Sequence, residues 1–141
     1  MKGLFLEDIS VGQSAELVRT VGEADIVAFA AVTGDNNPVH LDAEYAAGTS
    51  FGERIAHGML SAGYISAVLG TTLPGPGAIY LSQSLAFKRP VKIGDEVTAR
   101  VTVTAIDDAK ARVTFATTCL VRGNAVVDGE AVVMVPRRAA A

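Results

Sequence analysis

The sequence predicts an α+β domain in which one curved antiparallel sheet wraps a buried central helix. Two observations carry that reading. The stretch from Ala56 to Gly70 is apolar or small on every side and holds no Asp, Glu, Lys or Arg, the composition of a helix buried all round. After it, residues 79–135 alternate apolar and polar side chains in long runs between turn signals, the pattern of antiparallel strands. A chain of 141 residues suits one such domain, with its core over about 5–135.

The elements follow in order. A short strand is expected over 13–19, through Ala15, Leu17 and Arg19. Thr20-Val21-Gly22-Glu23 has the capping-box pattern, in which Thr20 and Glu23 would satisfy each other's free backbone donors. Ile26, Phe29, Ala30 and Thr33 then recur at helical spacing, and Gly34 is the expected stop. Residues 34–56 are polar and punctuated by Gly and Pro, with one short helix expected over 42–47. So long a stretch with so little regular structure is uncommon unless it is functional.

The central helix should run from about His57 to Gly70 and end before the break Leu73-Pro74-Gly75-Pro76-Gly77. Segments 79–88, 96–104, 113–121 and 126–135 read as a four-strand antiparallel meander. Its turns fall at Gly94-Asp95, Asp107-Asp108 and Gly123-Asn124. Long strands twist strongly and can wrap a helix. The sheet has two open edges, which predicts at least a dimer. Arg137 to Ala141 reads as a frayed tail.

Composition narrows the function classes. The formal net charge of -3 gives no reason to expect nucleic acid or an anionic membrane as partner. The lone cysteine, Cys119, sits in an alternating apolar run and reads as core, and a single thiol forms no disulfide within one chain. The apolar run at the N-terminus is too short for a signal peptide, and none approaches a membrane span. A cytoplasmic protein is expected.

The chemistry points to Gly34-Asp35-Asn36-Asn37-Pro38-Val39-His40. A carboxylate and an imidazole on one restrained loop make an acid–base pair able to share a water. On spacing alone the residues leave a plainer alternative open: Asp35 and Asn36 making turn hydrogen bonds, and His40 on the surface. Two further features bear on it. Gly58, at the start of the central helix, lets a carbonyl oxygen approach free N–H groups at the positive end of the dipole, although Gly58 for packing alone is equally open. The helix also carries no Asp, Glu, Lys or Cys, and offers only backbone donors and the hydroxyls of Ser61, Tyr64 and Ser66. Proton chemistry beside it must then come from the 34–40 loop.

Phe29-Ala30, Thr33-Gly34-Asp35-Asn36-Asn37-Pro38-Val39-His40-Leu41-Asp42 and Ile55-Ala56-His57-Gly58-Met59-Leu60 together resemble the signature of the MaoC-like, (R)-specific enoyl-CoA hydratases of the hot-dog fold. Phe87-Lys88-Arg89-Pro90-Val91-Lys92-Ile93-Gly94-Asp95 resembles the segment after the central helix in that family. The resemblance covers essentially residues 5–135 and implies reversible hydration of a trans-2-enoyl-CoA to the (R)-3-hydroxyacyl-CoA. It implies Asp35 and His40 as catalytic dyad, and Gly58 as the donor to the thioester oxygen. Ser66 is a looser match to a serine near the site in short-chain members, while Asn37, His57, Tyr64 and Leu69 are further candidates for the substrate pocket. The resemblance also implies a homodimer with its central helices side by side.

No cofactor is expected, coenzyme A being part of the substrate. No metal is expected either, because Asp35, His40, Asp42 and His57 follow no recognised ligand spacing. His57 is expected to stabilise the helix start, and Asp42 to cap the short helix. Arg54, Lys88, Arg89 and Lys92 are candidates for the coenzyme A phosphates. Chain length favours short or medium acyl groups. Three rivals share the scaffold. They are a thioesterase, which commonly has a carboxylate on or beside the central helix; a 3-hydroxyacyl-carrier-protein dehydratase with the same dyad; and a non-catalytic acyl-CoA-binding protein, which needs neither dyad residue.

Overall fold

The computed structural model describes residues 1–139. After a 3-10 turn at Leu6–Asp8 come β1 (Ser14–Thr20), α1 (Glu23–Thr33), α2 (Pro38–Leu41), α3 (Ala43–Ala47) and α4 (Gly58–Thr71). Then follow β2 (Ile79–Gln83), β3 (Ala86–Phe87), β4 (Glu96–Asp107), β5 (Arg112–Val121) and β6 (Asn124–Met134). All strand pairs are antiparallel, in the order β1-β4-β5-β6-β2, with β3 also on β6. The single sheet curves around α4, which packs on β4, β1 and β5, the expected hot-dog arrangement.

The period-two pattern settles which faces meet. Val97, Ala99, Val101 and Val103 of β4 are buried, as are Val113, Phe115, Thr117, Cys119 and Val121 of β5. Their core is closed from the α4 side by Ile65, Val68 and Leu69. Burying a side chain the size of Phe115 or Ile65 contributes about 2–3 kcal/mol each. Thr117 is the polar member of its row, and Gln83 Nε2 donates to its hydroxyl at 2.8 Å. Cys119 is core, its Sγ 3.4 Å from the Ser61 carbonyl and its thiol pushed up to about 12 by burial.

Several expectations are corrected. The meander has three strands, because β2 pairs with β6 rather than with β4, whose other neighbour is β1. The strand expected over 79–88 is two, β2 and β3, interrupted where Ser84 approaches Gly129 so closely that a Cβ there would lie 1.8 Å from the Ser84 carbonyl. The hairpin turn is Arg122-Gly123, one residue earlier than expected, and both have positive φ (49° and 79°) as a type I′ turn requires.

Thr20 ends β1 instead of capping α1. The cap is Gly22, whose N–H donates to Asp25 Oδ2 at 2.8 Å. Gly34 does stop α1, in the left-handed region at φ 79°. The polar stretch holds a second helical turn, α2, set by Pro38 at its start and by Asn37, whose Oδ1 accepts from Val39 N–H at 3.1 Å. Asp42 caps α3 as expected.

The central helix is not buried all round in the single chain. Ser61, Ala62, Ile65, Val68 and Leu69 are buried, while Met59, Gly63, Ser66 and Gly70 form an open face on the other side. The C-terminal segment is not frayed as far as it is described. Pro136 O accepts from Leu6 N–H at 2.9 Å, and the Arg138 guanidinium meets Asp8 at 2.6 Å over the Phe5 ring. Ala140 and Ala141 of that expected tail lie outside the described residues.

Candidate active site

Asp35 and His40 come together from different local causes. Gly34 ends α1 by turning the chain sharply, and Asp35 N–H then donates to the Thr33 hydroxyl at 3.1 Å. Pro38 starts α2, which carries His40 inward until it is buried. One carboxylate oxygen of Asp35, Oδ1, accepts from Asn37 N–H at 3.3 Å. The other has no donor among the described residues. Side-chain donor atoms of Asp35, His40 and His57 all lie within 4.8 Å of one another.

The segment between α3 and α4 holds this arrangement. Ile55 N–H donates to Val39 O at 3.3 Å, and His40 Nδ1 lies 2.8 Å from Ile55 O. A carbonyl only accepts, so Nδ1 carries the hydrogen, and in the neutral imidazole Nε2 is the nitrogen with the lone pair. Arg54 Nε donates to His40 O at 2.7 Å, while its guanidinium pairs with Glu23 at 2.6 Å. That link ties the His40 turn to the start of α1. His57 Nε2 meets Asp35 O at 2.9 Å, and the His57 ring stacks on that of His40 with centroids 3.9 Å apart.

These residues face a pocket of about 420 Å³, of ordinary size for a small-molecule site. Asp35, His40, His57 and Gly58 are on its wall, with Phe51, Ile55, Met59, Phe87, Val91 and Val127 giving an apolar surface. Gly58 is the first residue of α4, where a helix leaves its N–H groups without intrahelical acceptors. The Phe87 ring lies against it, so a Cβ at Gly58 would sit 2.6 Å from two ring carbons. A side chain at this position would have to displace that ring. The pocket can therefore hold an elongated apolar group, present a backbone donor to an oxygen, and place a water between carboxylate and imidazole.

The family then follows from comparison. The sequence pattern of the MaoC like domain matches residues 7–125. This chain belongs to the MaoC-like family. Among relatives of this MaoC-like chain, the (R)-specific enoyl-CoA hydratase of Rhodospirillum rubrum is 61% identical, over 95% of this chain and 93% of that protein. The 3-hydroxybutyryl-CoA dehydratase of Methylorubrum extorquens is 49% identical, over 98% and 88%. Among solved structures, the (R)-hydratase of A. caviae involved in PHA biosynthesis is 50% identical, covering 92% of this chain and 99% of that one with a TM-score of 0.90.

Not every residue expected at the site of this MaoC-like protein lies on the pocket wall. Asn37 is spent capping α2, Leu69 is in the core, Tyr64 is half-buried against that core, and Ser66 is on the open face of α4. Burial, then the Asp25 charge, holds the Tyr64 phenol above its ordinary range, so it stays protonated. His57, expected to stabilise the helix start, is the N-cap residue of α4, with its carbonyl accepting from Leu60 N–H at 3.0 Å and its side chain making no cap hydrogen bond. Arg54 is committed to Glu23 and Lys92 lies 3.4 Å from Glu53, which leaves Lys88 and Arg89 as the cations on the pocket wall. Residues not foreseen at the pocket include Phe51, Ile55, Met59, Phe87 and Val127, whereas Ser61, one of the hydroxyls the helix was expected to offer, does lie on its wall. The Phe87-Lys88-Arg89-Pro90 run was the available signal for the part that β3 contributes.

Proposed function

We propose that this chain is a hydro-lyase that reversibly hydrates trans-2-enoyl-CoA to (R)-3-hydroxyacyl-CoA. The single observation that carries this is the free Nε2 of His40 beside the uncommitted carboxylate oxygen of Asp35, in a pocket that also contains the Gly58 end of α4. Water bound between Asp35 and His40 is oriented towards the β-carbon of an enoyl group lying along the apolar wall. As its oxygen bonds to that carbon, the double-bond electrons move onto the thioester oxygen. The pair removes one proton from the water and returns one to the α-carbon, which restores the thioester. The Gly58 N–H, at the positive end of α4, donates to the thioester oxygen and stabilises the negative charge that builds there in between. One such donor commonly lowers a barrier by about 3 kcal/mol.

The relatives' printed activities support a coenzyme A thioester as substrate, and the reading needs no cofactor beyond it. The same substrate supports a cytoplasmic location. A homodimer fits the open face of α4, where Met59, Gly63, Ser66 and Gly70 recur at helical spacing, and the exposed apolar side chains of edge strand β2. Sedimentation or light scattering tests that stoichiometry; a monomer at micromolar concentration refutes it.

The activity test is a crotonyl-CoA hydration assay with chiral analysis of the product, repeated with longer enoyl-CoAs. Loss of enoyl absorbance with formation of the (R)-alcohol is expected. No loss with any chain length refutes the reading, and hydrolysis to free coenzyme A would favour a thioesterase.

A further inference from the structure

We infer that His57 is a positioning residue: its ring fixes the backbone of Asp35 and backs the imidazole of His40, so that both reacting groups face one water. The inference rests on the hydratase reading of the same pocket. His57 is 2% exposed, and every part of the ring that the fold engages touches the dyad or its support. Nε2 donates to the Asp35 carbonyl at 2.9 Å. One face stacks on His40 at 3.9 Å and an interplanar angle of 28°, and Phe29 packs against the ring at 4.6 Å.

Asp35 needs such an anchor. It lies just past the left-handed turn at Gly34, its side chain is exposed, and its own N–H is held only by the Thr33 hydroxyl. The His57 bond crosses from the end of α4 to that turn and fixes where the carboxylate starts. The bond also places a hydrogen on Nε2, while Nδ1 is buried with no partner among the described residues. Proton transfer by His57 itself is not supported, because Nε2 is already committed to a carbonyl. Side-chain capping of α4 is not its role either, since the ring makes no cap bond.

The test uses the full chain with His57→Phe, which keeps the stack and removes the donor, and His57→Gln, which keeps a donor and removes the ring. Circular dichroism establishes that each is folded. A displacement of the carboxylate by a fraction of an ångström to an ångström should lower kcat of His57→Phe about tenfold to a hundredfold, with KM within about threefold. His57→Gln should recover most of that loss, because its amide can reach the same carbonyl. Wild-type kcat in His57→Phe would overturn the inference in favour of simple packing. A fall in His57→Gln as deep as in Asp35→Asn would overturn it in favour of proton transfer.

If neither variant folds, the nitrogen-15 shifts of the wild-type imidazoles decide. They should show a hydrogen on His57 Nε2, as donation to the Asp35 carbonyl requires; an Nε2 without a hydrogen overturns the inference. That spectrum is independent of turnover. A wild-type protein inert on every enoyl-CoA would refute the hydratase reading while the Nε2 hydrogen still reported whether His57 holds Asp35.

Discussion

His40 gives its Nδ1 hydrogen to the carbonyl of Ile55 across 2.8 Å, and that one bond orients the imidazole so that Nε2 is left for the water that the proposed hydration needs. Ile55 in turn donates its own N–H to Val39, so the backbone around residue 55 grips the α2 turn from both sides. An imidazole held in one tautomer and one rotamer needs no reorganisation at the moment of proton transfer.

Asp35→Asn and His40→Gln should each lower kcat about a hundred- to ten-thousandfold, the usual contribution of a positioned acid or base. Thermal unfolding should change little for Asp35→Asn, because Asp35 is exposed and its Oδ1 contact can be kept by the amide oxygen. Steady-state hydration kinetics alongside a melting curve would check both halves. Near-normal turnover in both variants removes the dyad assignment.

Gly58→Ala places a methyl group 2.6 Å from the Phe87 ring. The ring is 54% exposed and can swing outward, so stability should fall by less than about 1 kcal/mol. Activity should fall much further, by about tenfold or more in kcat/KM, because the methyl and the displaced ring crowd the helix end where the thioester oxygen must sit. Urea unfolding and kinetics on one preparation separate the two effects. A variant with parent kcat/KM would mean that no substrate oxygen approaches Gly58.

Ser61→Ala carries a prediction of the opposite sign. The Ser61 hydroxyl is buried and has no partner, and the residue lies on the pocket wall. An unsatisfied buried hydroxyl costs about 1–3 kcal/mol, so its removal should leave the protein as stable or raise its Tm by a few degrees. Scanning calorimetry reads this directly. A clear destabilisation would show that the hydroxyl is hydrogen-bonded in solution.

Acid should release the C-terminal strap. The Phe5 N–H and then the Arg138 guanidinium hold the Asp8 carboxyl below its ordinary value of 3.8. A carboxyl depressed in the fold stabilises it fully above the unfolded value and loses that contribution as pH falls through the folded value. The contact should therefore be intact at neutral pH, begin to weaken near the ordinary value of 3.8 and be lost only as pH falls further, through the lower folded value. Amide exchange at Arg138, whose N–H meets the Glu7 carboxylate at 2.8 Å, is the readout. Asp8→Asn should already exchange faster at pH 7; equal exchange in the parent and the variant would remove the role of the ion pair.

Local chemistry was legible in the residues. Alternation along β4 and β5 named their buried faces, Gly34 marked the end of α1, and Asp42 announced α3. Each depends on φ/ψ preference or side-chain period over a few residues, which neighbours along the chain decide. Asp35 and His40 were legible for the same reason, as a short motif with Pro38 between them. The capping of α1 was misplaced because Thr20 is claimed by pairing with Glu96 in β4, and a sheet partner outweighs a local cap pattern.

By itself, then, the sequence determined the fold class and singled out Asp35, His40 and Gly58 as the candidates that the structure brings to one pocket. Only the tertiary structure decided that β2 crosses to β6, that Arg54 braces His40 against Glu23, and that His57 turns to Asp35 rather than to its own helix. The physical reason is distance along the chain. Helix signals and turn signals are written within one turn or one hairpin, whereas a salt bridge or a buried imidazole finds its partner only after the sheet has closed around α4 and brought remote segments within hydrogen-bond reach.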